Sequence, residues 1–179
     1  MEKDVWHGLP EERFQLYQNW RTPSGYLCGT YAASVLLAYY QDYLDSAVIP
    51  RYIRQKSSGD GETLANFLRL FVQRHGLPTI AWQVAHGISC FFNHHGYPVQ
   101  ARATMIGGWQ RSVKRIDQGK PLIIGLNQLL GSTYGNHWVV AYAYMETSQG
   151  ERYLKIHDNW GNYRAVIPAK WVNATVSLP

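Results

Sequence analysis

His137-Trp138-Val139-Val140-Ala141-Tyr142-Ala143-Tyr144 is an almost wholly apolar run, and Arg152-Tyr153-Leu154-Lys155-Ile156-His157 answers it beyond the turn residues Ser148-Gln149-Gly150. Two β-rich runs joined by a short polar turn form an antiparallel hairpin, which sets the start of one strand beside the end of the other. His137 and Asp158 are therefore expected to be neighbours. Working outward, further β-rich runs lie at Val99 to Thr104, Pro121 to Asn127 and Arg164 to Ile167, with a helical turn expected from Trp109 to Gln118.

Upstream the texture is helical. Ala32, Ala33, Leu36, Leu37, Tyr40 and Leu44 recur with mostly helical spacing, and after Gly29 no glycine or proline interrupts them, which predicts a long buried helix from Cys28 to Leu44. A second helix is expected from Glu62 to His75, with Leu64, Phe67, Leu68, Phe71 and Val72 on one face and Gly76 and Pro78 as its stop. A third is expected from Ala85 to His95, ending at Gly96. Helices first and strands afterwards predict an α+β domain in which an N-terminal helical layer packs on a C-terminal antiparallel β-sheet, with a cleft between them for a site. No repeat or linker divides the chain, so residues 1–179 are expected to form a single domain.

Of the 179 residues, 46% are hydrophobic and 16% charged, which excludes a disordered chain. The 17 basic and 12 acidic residues give a net charge of +5, but Arg51, Arg54, Lys56, Arg111, Lys114, Arg115 and Lys120 are scattered, so no nucleic acid partner is expected. The apolar runs are far shorter than the ~20 residues of a membrane helix, so no membrane segment is expected. Residues 1–20 do not resemble a signal peptide, which favours the cytoplasm, although an exported mature form would read the same way. Cys28 and Cys90 are too few for a disulfide framework, so each is a buried small side chain, half of one bridge, or a working thiol.

A nucleophilic thiol needs stabilisation of its thiolate, and the unpaired N–H groups at a helix start supply it. Cys28 is so placed, after the turn-forming Thr22-Pro23-Ser24-Gly25 and before Gly29, which allows close backbone approach. The thiol also needs a base, and the base an orienter that fixes its tautomer; His137 and Asp158 have the types and the expected proximity. Taken singly, each has a structural reading as well: a buried cysteine, and a satisfied His–Asp pair at a sheet edge.

Cys28-Gly29 at a long helix, Gly119-Lys120-Pro121-Leu122-Ile123-Ile124-Gly125, Gly135-Asn136-His137-Trp138-Val139-Val140 and Ile156-His157-Asp158-Asn159-Trp160-Gly161 together resemble the papain-like cysteine peptidases, in the bacterial branch of C39 and C39-like peptidases. The resemblance implies Cys28 as nucleophile, His137 as general base and then acid, and Asp158 as orienter. It further implies Trp160 covering the His–Asp contact, and Gln18 donating its amide to the oxyanion with the Cys28 N–H. Gly29, Asn136, Trp138 and Trp160 are the expected substrate-binding set, and a peptide or protein is the expected partner. Gln18 stands farther upstream of Cys28 than the family's usual glutamine, which leaves Gln15 and Asn19 as alternatives. Leu27 stands where the C39 transporter peptidases carry Asp, a departure that bears on cleavage of double-glycine leaders.

The reading is thus a thiol hydrolase that cleaves a peptide or amide bond through a thioester, without metal or cofactor. Acyl transfer of the transglutaminase-like kind shares its first half-reaction, and a noncatalytic peptide-binding module would keep the cleft alone. His86, Cys90 and His94 share one helical face, with His75 and His95 nearby, but the spacing is poor for zinc. Asp158 with Asp60 or Glu62 makes no glycosidase pair, and Gly107-Gly108 and Gly59-Asp60-Gly61 lack the context of a phosphate loop. His157 is expected to face away from Asp158 in a structural role, and Trp109, Tyr134 and Trp138 to fill core or line the groove.

Overall fold

In a computed structural model, which describes residues 3–23, 25–73 and 76–179, Cys28–Tyr43 forms helix α1, buried on nearly every face. α2 is Glu62–Val72, α3 Ala81–His94 and α4 Gly108–Asp117. α2 closes at Gln73, and His75, the expected end of this helix, lies outside the described residues. α3 begins earlier than expected because Gln83 Oε1 accepts the main-chain N–H of Ile80 at 3.0 Å, closing the first turn from the side. The expected turn at Trp109 is a full helix, led by Gly107 in the left-handed region at φ 73°.

The strands are β1 (His7–Gly8), β2 (Arg102–Thr104), β3 (Leu122–Leu126), β4 (His137–Glu146), β5 (Arg152–His157), β6 (Ala165–Pro168) and β7 (Val172–Ser177). They make one antiparallel sheet in the order β2-β7-β3-β4-β5-β6, with β1 pairing to β4 at Ala143 and Tyr144. The β4–β5 hairpin is as read from sequence, with Val140 opposite His157 and a register shift between Ala141 and Ala143. β1 and β7 were not anticipated. β7 is rich in Asn, Ala, Thr and Ser rather than large apolar residues, yet Thr175 and Ser177 are fully buried and the strand lies inside the sheet.

Alternation along the strands splits the core into two layers. Ile123, Val140, Tyr142, Ala174 and Val176 pack with α1, α2 and α3, while Leu122, Ile124, Leu126, Val139 and Ala141 pack on the other face with Ile116 of α4. The helical layer and sheet are those expected, and the start of α1 meets the start of β4 where they join.

A buried polar staple holds the C-terminal end of α1. Arg54 donates to Asp42 Oδ1 and Oδ2 at 2.8 and 2.9 Å, and the Tyr17 hydroxyl donates to Asp42 Oδ2 at 2.7 Å. Burial opposes ionisation of Asp42, but the Arg54 guanidinium, the Ser57 N–H and the Tyr17 hydroxyl together hold its carboxyl below the usual range. The 3-10 segment Glu11–Tyr17 is thereby fixed to α1, and with it the position of Gln18.

Candidate active site

Cys28 is the first residue of α1 and is partly exposed. Burial pushes its thiol pKa up, while the main-chain N–H groups of Trp138, Gly29 and Cys28 itself pull in the opposite direction. The Trp138 contact joins the helix start to β4 directly. Gly29 lets α1 pass close to the segment before α3 and to α3 itself: a Cβ there would lie 2.5 Å from Thr79 Oγ1 and 3.1 Å from Val84 Cγ2. The Trp138 indole N–H in turn donates to the Thr79 carbonyl at 3.0 Å.

His137 opens β4 and is 4% exposed. Its Nε2 lies 2.7 Å from the main-chain oxygen of Asp158. A carbonyl only accepts, so Nε2 carries the proton and the lone pair of the neutral ring is on Nδ1, the tautomer of a poised base. Burial lowers the pKa of the ring, against the opposing pull of the Asp158 carbonyl and carboxylate charge. Trp160 stacks on the imidazole at 4.2 Å between ring centroids, and Tyr134 lies parallel to it at 6.0 Å. Among the described residues no hydrogen bond joins the Cys28 thiol to His137; the thiol's contact is with the main chain of the next residue, Trp138.

Asp158 sits beside His137 across the hairpin as expected, but it reaches the imidazole through its backbone. Its carboxylate is turned the other way: Oδ1 accepts the main-chain N–H of Trp160 at 2.8 Å and of Asn162 at 2.9 Å, and Oδ2 accepts the Tyr134 hydroxyl at 3.3 Å. The expectation of a side-chain orienter is corrected on this point. The tight turn after β5, with Asn159 at φ 59°, needs an acceptor for its unpaired N–H groups, and the carboxylate meets that need.

No family model matches this chain. No curated protein matches it either. Among solved structures, it is similar to a double-glycine motif protease from an AMS/PCAT transporter, solved in complex with the leader peptide. The TM-score there is 0.48 and the identity 15%, over 88% of this chain and 87% of that one. It is also similar to a recombinant stem bromelain precursor, with a TM-score of 0.42 and 13% identity over 86% of this chain and 63% of that one. Neither likeness bears on the chemistry, which the site's own geometry has to support.

The remaining expected residues divide. The Tyr17 carbonyl accepts His157 Nε2–H at 2.8 Å and the Thr22 N–H donates to the Asn159 carbonyl at 2.8 Å, so the segment carrying Gln18 runs along the Asp158 turn. Gln18 is half-buried there and its amide makes no hydrogen bond among the described residues, whereas Gln15 and Asn19 are exposed. Asn136 is exposed, and its side-chain oxygen accepts the Gln128 N–H at 3.0 Å, holding the loop after β3. Gly29 is buried and Trp138 is 8% exposed, so both serve packing, while Trp160, 49% exposed, forms the outer wall. Ser24, in the turn before Cys28, lies outside the described residues.

Two positions were missed and one was left open. Asn159, whose Nδ2 donates to the Trp138 carbonyl at 3.0 Å, and Thr79, which links α3 to Gly29 and Trp138, carried no signal beyond their turn chemistry. Tyr134, left between core and groove, is a neighbour of His137 and Asp158, and burial together with the nearby carboxylate raises its pKa to about 12. Thr79 also lines a cavity of about 270 Å³ with Phe71, Leu77 and Trp82. Of the metal candidates, Cys90 Sγ and His86 Nε2 meet at 3.4 Å, but the His94 ring packs on Phe71 and His95, and His75 lies outside the described residues. His157 is fully buried between Tyr17 and Asn159, in the structural role expected.

Proposed function

We propose that this protein is a papain-like thiol hydrolase acting on a peptide or amide bond, with Cys28 as nucleophile and His137 as base. The observation that carries the reading is the junction of α1 and β4. A thiol at a helix N-terminus lies against the main chain of Trp138, the residue after His137, whose Nε2–H is held by the Asp158 carbonyl and whose Nδ1 is left free to accept a proton. Burial favours the neutral thiol and the neutral imidazole at rest. His137 therefore takes the proton as Cys28 attacks the carbonyl, directly or through one water. The Cys28 N–H at the unpaired start of α1 supplies an oxyanion donor, with Gln18 as its side-chain complement. His137 then protonates the leaving amine, and water cleaves the thioester with His137 again as base.

The test is mass spectrometry after treatment with an epoxide inhibitor of cysteine peptidases, comparing Cys28 with Cys90 in the native and the unfolded chain. Modification of Cys28 alone, and only in the native state, is the expected result. A second reading, a peptide-binding module without turnover, is favoured by the lack of a direct Cys28–His137 hydrogen bond among the described residues. Modification of neither cysteine, or of both only after unfolding, selects it. Hydrolysis and acyl transfer are separated by adding a primary amine and looking for the amide product.

A further inference from the structure

The end of the sheet remote from His137 gathers three arginines that pair with no carboxylate among the described residues. Arg102 of β2 lies directly opposite Ser177 of β7, so their side chains leave the same face of the sheet. On that face Ser177 Oγ accepts Arg111 Nε at 3.2 Å and Nη2 at 2.9 Å. Arg115 follows one turn later on α4 and is 7% exposed. Its Nη1 donates to Gln118 Oε1 at 3.1 Å, while its buried Nε–H has no partner. Burial and then the neighbouring guanidiniums of Arg111 and Arg102 hold its pKa below the ordinary value. Lys120, whose Nζ donates to the Pro179 carbonyl, borders the group.

Among the described residues none of these three arginines makes an ion pair, whereas Arg54, Arg152 and Arg164 all do. The acidic residue nearest in sequence, Asp117, accepts the Tyr144 hydroxyl at 2.6 Å and makes no ion pair with them among the described residues. A buried guanidinium with a free donor is unfavourable unless an acceptor arrives. We propose that this cluster is a binding site for a phosphate-type oxyanion, held by Arg102, Arg111 and Arg115. Guanidinium forks match the oxygens of a phosphate, and several donors converging on one dianion exceed what a single carboxylate would need. The source is inorganic phosphate or a phosphomonoester headgroup of a lipid, which share this chemistry. The site is separate from the thiol, since Ser177 pairs near the start of β3 and His137 pairs at its end.

The test uses the full chain titrated with inorganic phosphate at constant ionic strength, followed by melting temperature and by calorimetry. The expected result is saturable stabilisation that chloride does not reproduce. Affinity falls about tenfold or more in Arg111→Gln and Arg102→Gln, because each removes a charge-assisted contact. The exposed Arg51→Gln changes net charge equally and leaves binding intact. A parallel arm floats the protein with phosphatidylcholine vesicles with and without phosphatidate. Capture by phosphatidate vesicles that is lost in Arg111→Gln supports the site with a headgroup as source, and phosphate binding without capture supports it with the free ion. An effect matched by chloride, equal losses in Arg51→Gln and Arg111→Gln, or binding in neither arm overturns the proposal.

Discussion

Replacing Asp158 by Asn separates two ways of orienting His137. If the carboxylate held the imidazole, as in Ser-His-Asp triads, the amide would impose the wrong tautomer and cost about 10⁴ in rate. Here the Nε2–H of His137 is accepted by the main-chain oxygen of residue 158, which the substitution leaves in place. An Asn side-chain oxygen can still accept the N–H groups of Trp160 and Asn162, now as neutral hydrogen bonds. The change from charged to neutral acceptor costs about 1–2 kcal/mol of stability, and loss of both bonds in Asp158→Ala about 2–4 kcal/mol. The assay is the second-order rate of Cys28 modification by the epoxide inhibitor, beside urea unfolding of the same variants. Asp158→Asn should react within about fivefold of the parent, since the tautomer is set by the backbone. Asp158→Ala should be slower and less stable because its turn is uncapped and the Trp160 wall loosens. A loss of about 10³ or more in Asp158→Asn, with the fold intact by circular dichroism, would refute the backbone orienter.

Three further outcomes follow from the same geometry. Trp160→Ala removes the ring stacked on His137 and admits water, so the imidazole pKa should rise toward the ordinary 6.5 in a proton NMR titration, and an unchanged value would show that Trp160 does not shield it. Gly29→Ala puts a Cβ 2.5 Å from Thr79 Oγ1 and should destabilise the chain by about 1–3 kcal/mol in urea while slowing Cys28 modification; normal stability would mean that α1 does not need this close approach. Burial lowers the pKa of both His137 and His157, so between the lowered values and 6.5 the unfolded chain binds protons that the folded chain does not. Their contribution is fully present above about 6.5 and is lost as pH falls through the lowered values, so the urea midpoint should drop on acidification, and less steeply in His157→Gln. A midpoint that is flat or rises toward acid would contradict the burial of these rings.

The order of layers was legible because periodicity records burial. α1 is apolar on nearly every face and β4 is an unbroken apolar run, and their ends, Cys28 and His137, mark where they meet. β7 escaped notice because its two valines are interleaved with Asn173, Ala174, Thr175 and Ser177, and the buried hydroxylated residues Thr175 and Ser177 carry little hydropathy. α3 began early through a Gln83 side-chain contact to the backbone, which no periodicity encodes.

The site was legible only at the level of residue type. Sequence spacing and hairpin register place Asp158 beside His137, but they do not say which oxygen of Asp158 faces the ring. That choice is made by the turn that follows. Asn159 adopts the left-handed region, its Nδ2 anchors to the Trp138 carbonyl, and the N–H groups of Trp160 and Asn162 then converge on Oδ1. With the carboxylate drawn into the turn, the carbonyl is the acceptor left facing His137. The same turn presents the Trp160 ring to the imidazole and sets Asn159 against His157, which reaches Tyr17 and the Gln18 segment. One five-residue turn therefore orients the base, shields it and positions the segment of the proposed oxyanion donor. Substitutions at Asn159, which makes no hydrogen bond with Cys28 or His137 among the described residues, should accordingly disturb Cys28 reactivity more than its surface counterparts do. Asn159→Gly, which keeps the backbone conformation but loses both side-chain anchors, is the variant in which reactivity and stability should fall together, and full reactivity in it would show that the turn holds its shape without them.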